Sequence, residues 1–186
     1  PMAQVPPPKA GQFDEWKKQI LAELRRVSFN SLPQADAKAE VLEKLADGRL
    51  RMKSEEGIEF RLSKIEPAGA AKRVLLVVRN ADEAMQSGPP AWLKQIARPD
   101  DQGWLCDPRG IGETRWTSKS PPNYVRRVHA LLGRTVETGQ VWDVATAAGY
   151  FRDSMKVDVP IEVVGKGAAG VIASYAALFQ PAIAGM

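Results

Sequence analysis

The sequence predicts an α/β fold: a mostly parallel sheet covered by helices, opened by an antiparallel hairpin. Three observations carry this. Residues 73–80, "RVLLVVRN", form a continuous apolar run, the mark of a strand covered on both faces. "RLRMKS" (49–54) and "IEFRLSKIE" (58–66) flank Glu55-Glu56-Gly57 and alternate apolar with polar, as a half-buried hairpin does. Later apolar strands then alternate with helical stretches, the order that builds a parallel sheet with helices on both sides.

Residues 1–12 carry four prolines and no periodic pattern, and read as a flexible arm. From Phe13 the pattern changes: Phe13, Trp16, Ile20, Leu24 and Val27 recur at three- and four-residue spacing, one apolar helix face. A second short helix is expected over residues 35–45, stopped by Gly48. Residues 13–47 are thus a helical N-terminal segment, and residues 48–186 are the α/β domain. Within that domain a helical stretch is expected over 91–97, followed by a short apolar strand in "GWLCDPRGIGET". Residues 121–155 are mostly helical, broken between Gly133 and Gly139. "IEVVG" (161–165) is the last expected strand, with the last helix from Gly170.

The bulk numbers fit one domain with an appended arm. The 186 residues are 44% hydrophobic and 26% charged, enough for a core, and no apolar run approaches the roughly 18 residues of a membrane helix. The net charge of +4 comes from scattered pairs such as Arg25-Arg26 and Arg126-Arg127, so no basic stripe for nucleic acid emerges. The single cysteine, Cys106, excludes an internal disulfide and reads as a small buried hydrophobe. Pro1-Met2 is an unusual start and points to a processed chain or a piece of a longer one.

"IEVVGKGAAGVIASYAALF" (161–179) reads as strand, glycine turn and helix, and three chemistries suit it. Gly165, Gly167 and Gly170 satisfy the G-x-G-x-x-G pattern of dinucleotide binding, although no acidic residue follows for a ribose. The small residues also suit a nucleophile elbow. The simplest reading is a tight turn with glycines for close packing.

"WLCDPRGIGET", a helical insertion and then "IEVVGKGAAGVIASYAALF" together resemble the middle of an α/β-hydrolase of the acetyl xylan esterase and prolyl oligopeptidase-like branch. The family's D-x-R-G-x-G turn is matched by Asp107, Arg109, Gly110 and Gly112. The resemblance runs from about residue 49 to the end and implies a partial, three-layer α/β-hydrolase-like sandwich. It also implies a vestigial elbow at Gly165, Gly167, Ala168 and Gly170, with Gly167 where the nucleophilic serine would stand. A glycine cannot attack a carbonyl. The backbone N–H of Ala168 matches one oxyanion donor. The second would come from the loop holding Arg79, Asn80, Ala81 and Asp82. No Asp, Glu or His follows Gly167 to serve as triad acid and base.

Outside the elbow, Asp107 and Arg109 close a strand at the end where open α/β sheets bind ligands, and Trp116 sits in a loop able to stack on a sugar. They are the candidate binding residues, weighed against local pairing for the first two. His129 reads as structural, and one His with one Cys makes no metal site. No cofactor is expected. The leading expectation is therefore a non-catalytic esterase-like segment of a larger protein. The alternatives are an accessory part of a working carbohydrate esterase, for which export to the periplasm or beyond would fit, and a nucleotide-binding domain. The strand at 161–165 would be left with an open edge, covered by the rest of its own polypeptide or by another chain.

Overall fold

The computed structural model describes residues 6–33, 38–65 and 71–186. Among these residues, seven strands form one sheet. Strands β1 (Glu40–Lys44), β2 (Leu50–Glu55), β3 (Ile58–Lys64) and β5 (Asp101–Asp107) pair antiparallel in succession. From β5 the sheet turns parallel through β4 (Arg73–Val78), β6 (Ile161–Gly165) and β7 (Ile183–Gly185). The apolar run of β4 is central, and all six of its residues are buried.

Alternation along the strands assigns the two faces. Met52, Phe60, Leu62, Leu76, Val78 and Cys106 point into the main core. Helices α3 (Val136–Asp153) and α4 (Ala168–Phe179) pack on that face with the end of α1 (Phe13–Ser28), whose Phe29 edge meets the Phe179 ring at 4.9 Å. Leu75, Val77 and Leu105 point the other way, onto Leu93 and Trp92. That second face carries a thinner layer, built on 3₁₀ turns at Glu83–Met85 and Ala91–Gln95, so the expected helix at 91–97 is a 3₁₀ turn. The helical break falls as expected, between α2 (Asn123–Leu131) and α3, where Thr135 and Thr138 form a reciprocal N-terminal cap.

Two expectations need correction. The second helix over 35–45 is instead strand β1, apart from residues 34–37, which lie outside the described residues. Cross-strand ion pairs Glu40–Lys53 (2.8 Å) and Glu43–Arg51 (2.7 Å) fix it on β2, and pairing overrides the helix-favouring composition of "EVLEK". The boundary at 47/48 consequently falls inside a hairpin of the single sheet. "IEVVG" is not the last strand either. β7 follows α4 and pairs parallel with Ile161 and Glu162, so the edge expected to be open is partly covered by the chain itself. Of the N-terminal arm, residues 1–5 lie outside the described residues, while Pro6 is tied back by the Trp16 indole N–H at 3.0 Å.

Buried ion pairs clamp β4 to β5 at both ends. Arg73 grips both Asp101 oxygens (2.8 and 2.5 Å), and Arg79 grips both Asp107 oxygens (2.7 and 2.6 Å). Burial opposes ionisation of Asp101, but the Arg73 guanidinium and the Arg98 backbone N–H outweigh it and hold the carboxyl below its ordinary 3.8. A carboxyl depressed in the folded state stabilises fully above about pH 4 and loses that contribution as pH falls through the folded value. Acidification from pH 7 to pH 3 should therefore lower the urea midpoint of the unmodified protein more than that of Asp101→Asn. Equal losses would show that this pair contributes nothing to acid sensitivity.

Candidate functional site: a glycine elbow at the sheet's switch crevice

The chain leaves β4 for β5 on one side and returns from β5 to β6 on the other. The crevice between the C-terminal ends of β4 and β6 is thus the topological switch point, where open α/β sheets bind ligands. The turn from β6 into α4 opens on this crevice.

Its backbone has the sharp geometry of an elbow. Gly167, at the head of α4, adopts φ 59° and ψ −124°, a conformation L side chains rarely take. A Cβ built there would meet nothing within 4 Å. The apex is thus open and without a side chain, in a conformation that glycine takes at no steric cost. Gly165 and Gly170 do a different job. A Cβ on Gly165 would lie 2.6 Å from the backbone carbon of Ala169, and one on Gly170 would lie 2.9 Å from the Gly165 carbonyl oxygen. These two glycines let α4 sit directly on the end of β6.

The Ala168 backbone N–H has no hydrogen-bond partner among the described residues and stands at the positive end of the α4 dipole. Its neighbour is occupied. Asn80, from the loop after β4, accepts from the Ala169 N–H (3.1 Å) and donates to the Lys166 carbonyl (2.8 Å). The same side chain reaches Glu83 Oε2 at 3.3 Å. A single amide thus bridges the crevice and ties the elbow to β4. Sequence reading placed Asn80 in the right loop but gave it no role, since a loop asparagine ordinarily reads as a turn former.

The other sequence candidates lie apart from the elbow. Asp107 is spent on Arg79. Arg109, 2% exposed, donates through Nε and Nη2 to Asp143 (2.9 and 2.7 Å) and pairs with Glu55 at 2.6 Å. The structure thus gives both residues internal ion-pair partners, the local pairing weighed against a binding role. Trp116 does face outward, 45% exposed. Its ring lies against Gly110, where a Cβ would come within 3.1 Å, and against the His129 imidazole at 5.3 Å between centroids. It borders a pocket of about 330 Å³ with Asp82, Met85, Arg115 and Lys119. His129 places Nδ1 2.9 Å from the Val125 carbonyl of its own helix, consistent with a structural role.

Cys106 is fully buried, and that burial pushes its thiol up, away from the reactive thiolate. Among the described residues no group of three His, Cys, Asp or Glu could hold a metal ion. No helix among them is long and apolar enough to cross a membrane.

No family model matches the chain, and no curated protein does. Solved structures do. One, described provisionally as an acetyl xylan esterase from Bacteroides fragilis NCTC 9343, superposes with a TM-score of 0.57 at 12% identity, over 92% of this chain and 52% of that one. The fold is α/β-hydrolase-like. Acetyl xylan esterase 1 from Thermoanaerobacterium sp. JW/SL YS485 superposes with a TM-score of 0.52 at 19% identity, over 95% of this chain and 57% of that one. This α/β-hydrolase-like chain thus spans a little over half the length of those two proteins.

Proposed function

We propose that the chain is a non-catalytic, esterase-like α/β-hydrolase segment of a larger protein, with a structural or binding role. The observation that carries this reading is the apex itself: elbow geometry is kept at Gly167, yet the position bears no nucleophile. Two further features support it. Asn80 spans the crevice where an acyl group would have to sit, and no Asp, Glu or His follows Gly167 in the sequence. If the segment binds a ligand, the pocket beside Trp116 suits a carbohydrate, with an indole face for stacking and the Asp82 carboxylate for hydroxyl groups.

A second reading has one observation in its favour. The chain spans about half of two esterases, so it would serve as an accessory part of a working carbohydrate esterase whose catalytic groups lie elsewhere. The test that bears on the first reading is Gly167→Ser. A serine fits the space at the apex but gains no acid–histidine pair, so the variant should hydrolyse p-nitrophenyl acetate no faster than the unmodified chain. Turnover above that baseline would refute the claim that the machinery is missing.

A further inference from the structure

On the second face of the sheet, away from the elbow, lies a polar cavity of about 610 Å³. Cations reach it from separate elements: Arg49 from the turn before β2, Arg61 and Lys64 from β3, and Arg79 from the end of β4. Arg79 is saturated, since beyond Asp107 it donates to the carbonyls of Glu83, Gln86 and Gly88. Arg49 and Arg61 are held differently. They share one carboxylate, that of Glu113, with Arg49 Nη1 donating to Oε1 and Arg61 Nε to Oε2 at 3.3 Å.

Glu113 comes from outside the strands that carry its partners. It sits in the 3₁₀ turn Gly112–Thr114, with its side chain half exposed. Gly110 and Gly112 just before it both have positive φ, 73° and 57°, which glycine adopts at no steric cost and which aim the turn at the cavity. The hydrogen bond from Arg49, then its charge and Arg61, hold the Glu113 carboxyl below its ordinary value against the opposing effect of burial. The position therefore favours an anion.

We infer that Arg49 and Arg61 form a binding site for a small organic carboxylate, and that Glu113 is the tethered carboxylate occupying it when no ligand is bound. Two guanidinium groups meeting on one carboxylate define its position from two sides, which a ligand carboxylate can take over oxygen for oxygen. With Glu113 withdrawn, Arg49 Nη1 and Arg61 Nε are left to the ligand while Asp47 and Glu59 still hold the other side of each guanidinium (2.7 and 3.1 Å), and Ser63 and Lys64 line the wall for a second polar group. This inference is independent of whether the elbow is catalytic.

Citrate is the probe, titrated at low ionic strength by calorimetry into the unmodified chain, Glu113→Gln, Glu113→Ala and Arg49→Gln. These side chains are all partly exposed, and matched urea midpoints check that each variant folds. Removing the competing carboxylate should tighten citrate binding about fivefold in either Glu113 variant, in keeping with the modest strength of an exposed ion pair. Arg49→Gln should weaken or abolish it. Equal citrate affinity with and without the Glu113 carboxylate, or binding untouched by Arg49→Gln, would overturn the inference, as would no citrate binding by the folded Glu113 variants.

Discussion

Replacing Asp143 by alanine is expected to cost about 3 kcal/mol of folding stability, read as a lowered urea midpoint at pH 7. Asp143 is completely buried on α3 and receives the Arg109 backbone N–H (2.8 Å), the Arg109 guanidinium and the Ser54 hydroxyl. Those contacts join α3, the turn after β5 and the end of β2. Burial by itself would drive the Arg109 guanidinium toward neutrality, but the hydrogen bonds and charge of Asp143, then of Glu55, outweigh it and keep the group protonated. Alanine removes the main partner and leaves a buried cation facing Glu55 alone, which is why the expected loss sits at the low end of the range for broken buried pairs. Removing both charges together should be milder, so Arg109→Met combined with Asp143→Leu should recover part of the loss. A loss under about 1 kcal/mol for Asp143→Ala would mean that water or Glu55 replaces the missing carboxylate.

The elbow glycines give the second large effect, and its sign depends on position. Gly165→Ala is expected to cost about 3 kcal/mol, because its Cβ would meet the backbone of Ala169 and Gly170 rather than a side chain that could rotate away. Relief requires α4 to lift from β6, and that contact belongs to the main core through Ala169, Ile172 and Ala173. Gly167→Ser meets open space and should cost only the strain of an L residue at positive φ, about 1–2 kcal/mol. Thermal melts of the two variants separate close packing from backbone conformation. If Gly165→Ala melts with the unmodified protein while Gly167→Ser falls, the helix is not seated on the strand end as described.

Much of the fold was legible because it rests on local patterning. Five of the six buried residues of β4, Val74–Val78, announce themselves as an unbroken apolar run, and β2 and β3 by alternation. The two halves of the long helical stretch separate at Gly133, where the backbone has φ 69°. What was not legible depends on partners distant in sequence. "EVLEK" favours a helix by composition and becomes a strand only because Lys53 and Arg51 face it across β2. "IAG" is too short for any periodicity and is a strand only because Ile161 lies alongside.

The candidate site divides in the same way. The glycines of the elbow could be read from spacing, since strand, turn and helix leave few alternatives for small residues. The function of Asn80 could not, because its two elbow contacts span 86 and 89 residues and need the parallel pairing of β4 with β6. The fates of Asp107 and Arg109 were equally hidden. One faint signal existed: Arg73–Asp101 and Arg79–Asp107 share a separation of 28 residues, as two rungs of one parallel ladder must.

The central claim is that an esterase-like elbow has been kept without its nucleophile, and labelling with a serine-directed fluorophosphonate tests it most directly. The unmodified chain should label no faster than a heat-unfolded sample of itself, since no serine stands at the apex and no acid–histidine pair follows it. Rapid, stoichiometric labelling of a single serine that is lost on unfolding would contradict the account and place an active nucleophile elsewhere in this chain.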